Sequence, residues 1–157
     1  MLIENGVPVV GGSDNPVMDR MVKRRVVITS ALLLALNATP QTIVPAPGAN
    51  KANIFEGCVI RKAAGTAYAG IAAGEDLSIK YTDGSGLELG ECETTGFLDQ
   101  TTNQIRWVNP YRAASGISSI TPVANAALVL HLLSGEITTG DSDLQIEVYY
   151  RVVNTVP

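Results

Sequence analysis

LQIEVYYRVV, residues 144–153, alternates apolar and polar side chains: Leu144, Ile146, Val148, Tyr150 and Val152 fall on one face of an extended chain, and Gln145, Glu147, Tyr149 and Arg151 on the other. Successive side chains of a strand point to opposite sides, so a period of two predicts a strand with one buried face. No other stretch of the chain is as explicit. It sets the expectation for everything upstream of it.

Working back from that strand, the same reading recurs in shorter pieces. Leu77, Ile79 and Tyr81 alternate with Ser78 and Lys80, and Asp83-Gly84-Ser85-Gly86 follows with the residues that supply positive φ in a hairpin turn. Glu88 to Phe97 then pairs back. Further strands are expected at Ile54 to Arg61, Ile105 to Val108 and Ala127 to Leu133, the last apolar enough to be covered on both faces. With Val26 to Ile28 and Thr42 to Val44 the count reaches about eight short strands. Gly-, Pro-, Asn- and Ser-rich connections separate them, which predicts an all-β domain, a β-sandwich or jelly roll. Long loops at Ala63 to Asp76 and Pro110 to Asn125 would lie at the rims, where binding surfaces are commonly built. No fixed-period repeat is visible, so solenoids and propellers are disfavoured.

The start of this β domain is marked by Leu36 to Gly48, LNATPQTIVPAPG, where three prolines and a glycine close one apolar segment and open the strand-rich part. The apolar segment itself, Val26 to Leu36, follows Lys23, Arg24 and Arg25 and so resembles a secretory signal. This apolar stretch of 11 residues is too short to span a bilayer, which needs about 20. It is read instead as a buried element, a short strand followed by a brief helix near residues 30–37, with Ser30 as its cap and Pro40 enforcing its end. Before it, MLIENGVPVVGGSDNP holds no sustained period and reads as an extended arm. The expected division is therefore an N-terminal arm, residues 1–25, and a sandwich or jelly-roll domain, residues 26–157.

Composition narrows the partners. At 157 residues the chain suffices for one self-contained core. Only 17% of its residues are charged, against about 25% in soluble proteins generally, so some apolar surface is expected to be covered by a partner. The net charge of −4 argues against nucleic acid, which requires a clustered basic field. Charge is unevenly placed: residues 1–25 are net +1, and the remaining 132 carry 7 basic and 12 acidic groups.

The chemical inventory assembles no catalytic set, cofactor motif or metal cluster, so no enzymatic activity, cofactor or metal is expected. His131 is the single histidine, and LVLHLL is the setting of a core or sheet-face residue rather than of a general base. Cys58 and Cys92 lack the spacing of a zinc site and suit buried thiols, with a disulfide as the alternative. Glu88, Glu91 and Glu93 read as a solvated face without an accompanying base. Asp141 and Asp143 in TTGDSD fit either a calcium loop or, more simply, a hairpin turn. GTAYAGIAAG, residues 65–74, has neither the spacing nor the lysine of a phosphate loop. Asn37-Ala38-Thr39 meets the glycosylation sequon and, without a secretory signal, is read as a chance match.

Two features rise above this background. Lys23, Arg24 and Arg25 could meet an acidic protein surface, a solvated arm being the other reading. Arg106, Trp107, Tyr111 and Arg112 form an interface candidate, because Trp, Tyr and Arg are favoured at binding hot spots; a core role for Trp107 is the alternative.

The ordered blocks LNATPQTIVPAPG, KANIFEGCVIRK, DLSIKYTDGSG, ETTGFLDQTT and NAALVLHLLSGEITTGDSDLQIEVYYRVV resemble small structural proteins of tailed bacteriophages, the capsid decoration or cement proteins, across roughly residues 26–153. The resemblance implies a homodimeric or homotrimeric virion protein, made in the bacterial cytoplasm, that sits on the outer capsid surface and stabilises the shell. Its partners would be the major capsid protein and itself, with neither nucleic acid nor membrane. Under it the arm would lie across capsid subunits, with Val7, Val9 and Val10 adding apolar area and Arg20, Lys23, Arg24 and Arg25 meeting acidic groups. The alternative function is a tail, fibre or host-surface module that binds carbohydrate through its rim loops.

Overall fold

The computed structural model describes residues 20–71, 74–111 and 119–156, together with two short N-terminal strands. Those two, β1 (Ile3–Glu4) and β2 (Val7–Pro8), pair antiparallel with each other. The main body begins with β3 (Val22–Ile28), α1 (Ser30–Leu34), β4 (Gln41–Val44) and β5 (Lys51–Lys62). It continues with β6 (Leu77–Tyr81), β7 (Glu88–Cys92), β8 (Gln104–Val108), β9 (Leu128–Leu132) and β10 (Leu144–Asn154). All eight strands expected from the sequence are present, but the one expected over Glu88 to Phe97 ends at Cys92, after which the chain turns, with the Phe97 and Leu98 amides on the Thr94 carbonyl.

Their pairing is nested. β3 pairs with β10, β4 with β9, β5 with β8 and β6 with β7, all antiparallel. The chain thus forms one long hairpin, closed at its tip by the β6–β7 turn. Rolling that hairpin brings β10 against β5 and β9 against β6, which completes two four-stranded sheets, β3-β10-β5-β8 and β4-β9-β6-β7. This strand order is a jelly roll, an open two-sheet form that buries one face of each sheet against the other.

The core is the set of inward positions. Leu144, Ile146 and Val148 of β10 stand in register with Lys62, Ile60 and Cys58 of β5 and face Leu128, Leu130 and Leu132 of β9 and Leu77 and Ile79 of β6. Each such aliphatic side chain contributes about 1.5–3 kcal/mol when fully removed from water. Every residue of β9 is buried, His131 included, as the apolar run around that histidine implies. Lys62 is the charged residue among these positions of β10, β5, β9 and β6, and its ammonium donates to the carbonyls of Gln100 (2.7 Å) and Ala63 (3.2 Å). Burial lowers its pKa.

The proline-rich segment 36–48 is bolted down by side chains from elsewhere. Asn53 Nδ2 donates to the carbonyls of Pro45 and Ala126, each at 3.0 Å, and the Tyr81 hydroxyl donates to the Asn53 carbonyl. Asn125 Oδ1 accepts from the Gly48 amide at 3.1 Å. Prolines cannot donate to a ladder, so the neighbouring carbonyls take side-chain donors instead.

Three local expectations are corrected. The helix spans Ser30–Leu34, and its cap is Thr29, whose backbone is extended and whose hydroxyl accepts from Leu32 N; the Ser30 amide is instead claimed by Asp143 Oδ1 at 2.9 Å. In the β6–β7 turn the positive φ falls on Thr82 (66°), not on a glycine. Gly84 and Gly86 are required for space: a Cβ would stand 2.7 Å from His131 Nε2 at the first and 1.7 Å from the Tyr81 carbonyl oxygen at the second. Finally, the sandwich begins at Val22, four residues before the expected boundary of 26, so Lys23, Arg24 and Arg25 belong to an edge strand and not to an arm. Three consecutive cations hide the period of two there, because an edge strand has water within reach of both phases.

Candidate docking face on the outer side of the first sheet

With Leu144, Ile146 and Val148 turned inward, the intervening residues of β10 face out, and the register extends them into cross-strand rows. One row runs Val27, Gln145, Arg61, Ile105; the next runs Arg25, Glu147, Val59, Trp107; a third places Lys23 beside Tyr149 and Gly57. Trp107 is 54% exposed and Ile105 58%, large values for apolar side chains.

The aromatic part of this face is built on a glycine. Gly57 has φ of 133°, and a Cβ there would meet Val108 O at 3.0 Å and Trp107 Cζ2 at 3.2 Å. Its absence lets the indole lie down toward Tyr149, with ring centroids 5.7 Å apart and planes at 43°. Such tilted pairs gain about 0.5–1.5 kcal/mol beyond area burial. The indole Nε1 donates to Asn109 Oδ1 at 2.6 Å.

The polar part is organised by Glu147. Its Oε2 accepts from Arg25 Nε at 2.8 Å, with Lys23 Nζ at 3.8 Å, and its Oε1 accepts from the Tyr149 hydroxyl. The Tyr149 hydroxyl first, and then the Arg25 guanidinium, hold the Glu147 carboxyl well below its ordinary range, at about 2, while the same hydrogen bond raises the pKa of Tyr149. Beyond this row Arg151 pairs with Glu56, Nε to Oε1 at 2.7 Å.

Two grooves cross the face. One, of about 640 Å³, lies at the rim, and Arg61, Asn103, Gln104, Ile105, Ser142 and Gln145 are among its lining residues. The other, of about 380 Å³, runs along β3 and β10 past Arg25, Val27 and Glu147. Arg61 and Gln145 line both. Among the described residues neither side chain has a hydrogen-bond or ion-pair partner.

The residues singled out from the sequence are only partly brought together. Lys23 and Arg25 reach the face through β3, and exposed Arg24 projects from the same strand in the opposite phase. Arg20 is exposed just ahead of that strand. Val9, Val10 and Arg112 lie outside the described residues, as does the side chain of Val7 within β2. The expected group Arg106, Trp107, Tyr111 is split: strand alternation separates Arg106 from Trp107, and Tyr111 lies past the end of β8, where the chain has turned to β7. Arg106 points the other way, donating to the Gly96 carbonyl with its guanidinium 5.2 Å from the Phe97 ring centre. Tyr111 lies beside the second sheet, with its hydroxyl on Glu88 and its amide on Leu89 O. Burial, and then Glu88 and Glu91, raise its pKa. The partner that Trp107 does find, Tyr149, is not near it in sequence.

The remaining candidates have structural contacts. His131 is buried, with Nε2 at 3.2 Å from the Asn37 carbonyl, and burial lowers its pKa. Its cross-strand neighbour Ser78 donates to Glu88 Oε2 at 2.7 Å and not to the imidazole. Asn37, of the sequon, donates to Leu132 O. Asp141 accepts from the Thr66 amide and hydroxyl at 2.7 and 2.9 Å, so both loop carboxylates, Asp141 and Asp143, fasten the rim. Among the described residues no group of three or more His, Cys, Asp or Glu is arranged to hold a metal ion, and no helix is long and apolar enough to cross a membrane. Cys58 and Cys92 are both free and buried.

No protein-family model, curated protein or solved structure matches this chain.

Proposed function

We propose that this protein is a bacteriophage virion component that binds the outer surface of the capsid and stabilises the shell as a decoration or cement protein. The observation that carries the reading is the ordered series of sequence blocks from LNATPQTIVPAPG to LQIEVYYRVV, which resembles such proteins along nearly the whole domain. An exposed Trp107 and Ile105, on a sheet whose polar centre is already internally paired, is the kind of surface a partner can cover at little desolvation cost. Repetition over a symmetric shell would turn modest contacts into high avidity.

The second reading, a carbohydrate-binding module of a tail, fibre or host-surface structure, is favoured by the rim groove with its amides Asn103, Gln104 and Gln145 beside Ile105. Co-sedimentation with emptied phage capsids, set against a glycan array, separates the two. Saturable capsid binding with a blank array supports decoration; glycan binding without capsid binding overturns it.

A further inference from the structure

Charge in this chain is sorted between the first sheet and the rest of the sequence. The strands β3, β10, β5 and β8 hold eight of the 11 basic residues and only two of the 15 acidic ones, net +6. The remainder holds three basic and thirteen acidic residues, net −10. Lys62 and Arg106 are turned away from the outer face and bind backbone carbonyls, Arg25 and Arg151 are paired with Glu147 and Glu56, Lys23 also reaches Glu147, Arg24 projects in the opposite phase, and Lys51 stands at the far end of β5. Arg61 is left over, central in the first row and lining both grooves.

In the rim groove beside it, Asp141 and Asp143 hold the Thr66 and Ser30 amides, and the buried Ser142 hydroxyl has no partner among the described residues. The Trp107 indole, the Tyr149 hydroxyl and the Glu147 carboxylate all have partners within the chain. What the face offers a visitor is therefore one free guanidinium, the Gln145 amide, and the apolar surfaces of Val27, Ile105 and Trp107. An occupant that complements it brings a carboxylate to Arg61 and apolar side chains beside it.

We infer that the outer face of the β3-β10-β5-β8 sheet docks an acidic protein segment, with Arg61 as the carboxylate anchor and Trp107 and Ile105 as the apolar floor. A guanidinium grips a carboxylate through two parallel hydrogen bonds, which fixes orientation as well as adding attraction. A second copy meeting the first through this same face would set Arg61, Arg25 and Lys23 against their own kind. A nucleic acid would have to lay a phosphate over Glu147, which interrupts the basic field in mid-groove. The inference deepens the capsid-binding reading, on which it rests for the identity of the acidic partner.

Trp107 is the only tryptophan, so its emission reports occupation of this face directly. The probe is a short alternating Glu-Leu peptide free of Trp and Tyr, with a Lys-Leu peptide and a DNA duplex as comparisons. The expected result is a saturable blue shift with the Glu-Leu peptide alone, weakening as salt is raised. Arg61→Glu should weaken it at least about tenfold. Lys51→Glu, which changes net charge equally at the other end of β5, should leave it within about threefold of the native protein. The inference is overturned by no saturable shift, by an equal response to DNA, by equal loss in the two variants, or by a shift that follows the protein's own concentration without peptide. Emptied capsids separate the two claims: capsid binding indifferent to Arg61→Glu rejects the face and keeps the decoration role, while peptide binding without capsid binding does the reverse.

Discussion

Arg25 and Glu147 stand 122 positions apart in the chain and 2.8 Å apart in the fold, guanidinium Nε to carboxylate Oε2. They are register partners on the outer face of the β3–β10 pair, and the contact ties the first strand of the jelly roll to its last. Tyr149 completes the arrangement from the other carboxylate oxygen.

That arrangement predicts an acid-sensitive seam. The Glu147 carboxyl is depressed from 4.5 to about 2, so its stabilising contribution is present above about 4.5 and is lost as pH falls from there through about 2. Thermal melts stepped down through that window should show the native protein losing stability faster than Glu147→Gln, whose amide does not titrate. Parallel curves for the two proteins would contradict this.

Gly57→Ala should destabilise the domain by about 1–3 kcal/mol, since a Cβ at positive φ is strained and would press on Trp107 and the Val108 carbonyl. Urea unfolding gives the loss. A red-shifted Trp107 emission in the folded state would show the indole lifted off the sheet, and an unchanged midpoint would refute the close packing.

Neither thiol should be reactive while the protein is folded. Burial pushes Cys58 up to about 12 and Cys92 up to about 11, and the thiolate is the reactive form. Ellman's reagent at neutral pH should titrate no thiol in the native protein and both in guanidinium chloride. One thiol reacting rapidly without denaturant would be incompatible with this core.

Truncation should separate the arm from the sandwich at a sharper position than charge alone indicates. Removing residues 1–19 leaves β3 whole, and the melting temperature should stay within a few degrees of native. Removing residues 1–25 deletes Val22 to Arg25, which pair with Tyr150 to Glu147, and takes both basic partners from Glu147, leaving it the Tyr149 hydroxyl. A loss of about 2 kcal/mol or more is expected, measured by urea unfolding. Equal stability of the two truncations would show that the first half of β3 contributes nothing.

Much of the architecture was legible in short windows. The alternation in LQIEVYYRVV and LSIKY, the apolar run around His131 and the proline punctuation at 40–47 each located an element. The eight strands follow from them, as does the mostly β class. KRR carries no period, so the pattern shows only the end of the edge strand β3, and the positive φ that the hairpin's glycines suggest falls on Thr82.

The candidate site was legible only by halves. Trp107 and the basic triplet stood out by type, and the polar side of the last strand already showed Gln145, Glu147 and Tyr149 sharing one phase. Nearness in sequence does not group Trp107 with Arg106 and Tyr111, because adjacent residues of a strand face opposite ways and Tyr111 lies beyond the strand's end, against β7.

The sequence by itself determined where the chain is extended, which side of each strand is apolar, and that the chain is sparing in charge. Those are local properties, set by covalent geometry and side-chain type. Only the tertiary structure decided that the first strand pairs with the last, that Tyr149 lies against Trp107 across Gly57, and that Arg61 remains free between two grooves. Each depends on which strands become neighbours when the long hairpin rolls. That choice is made by burying all the inward faces at once, and no single segment records it.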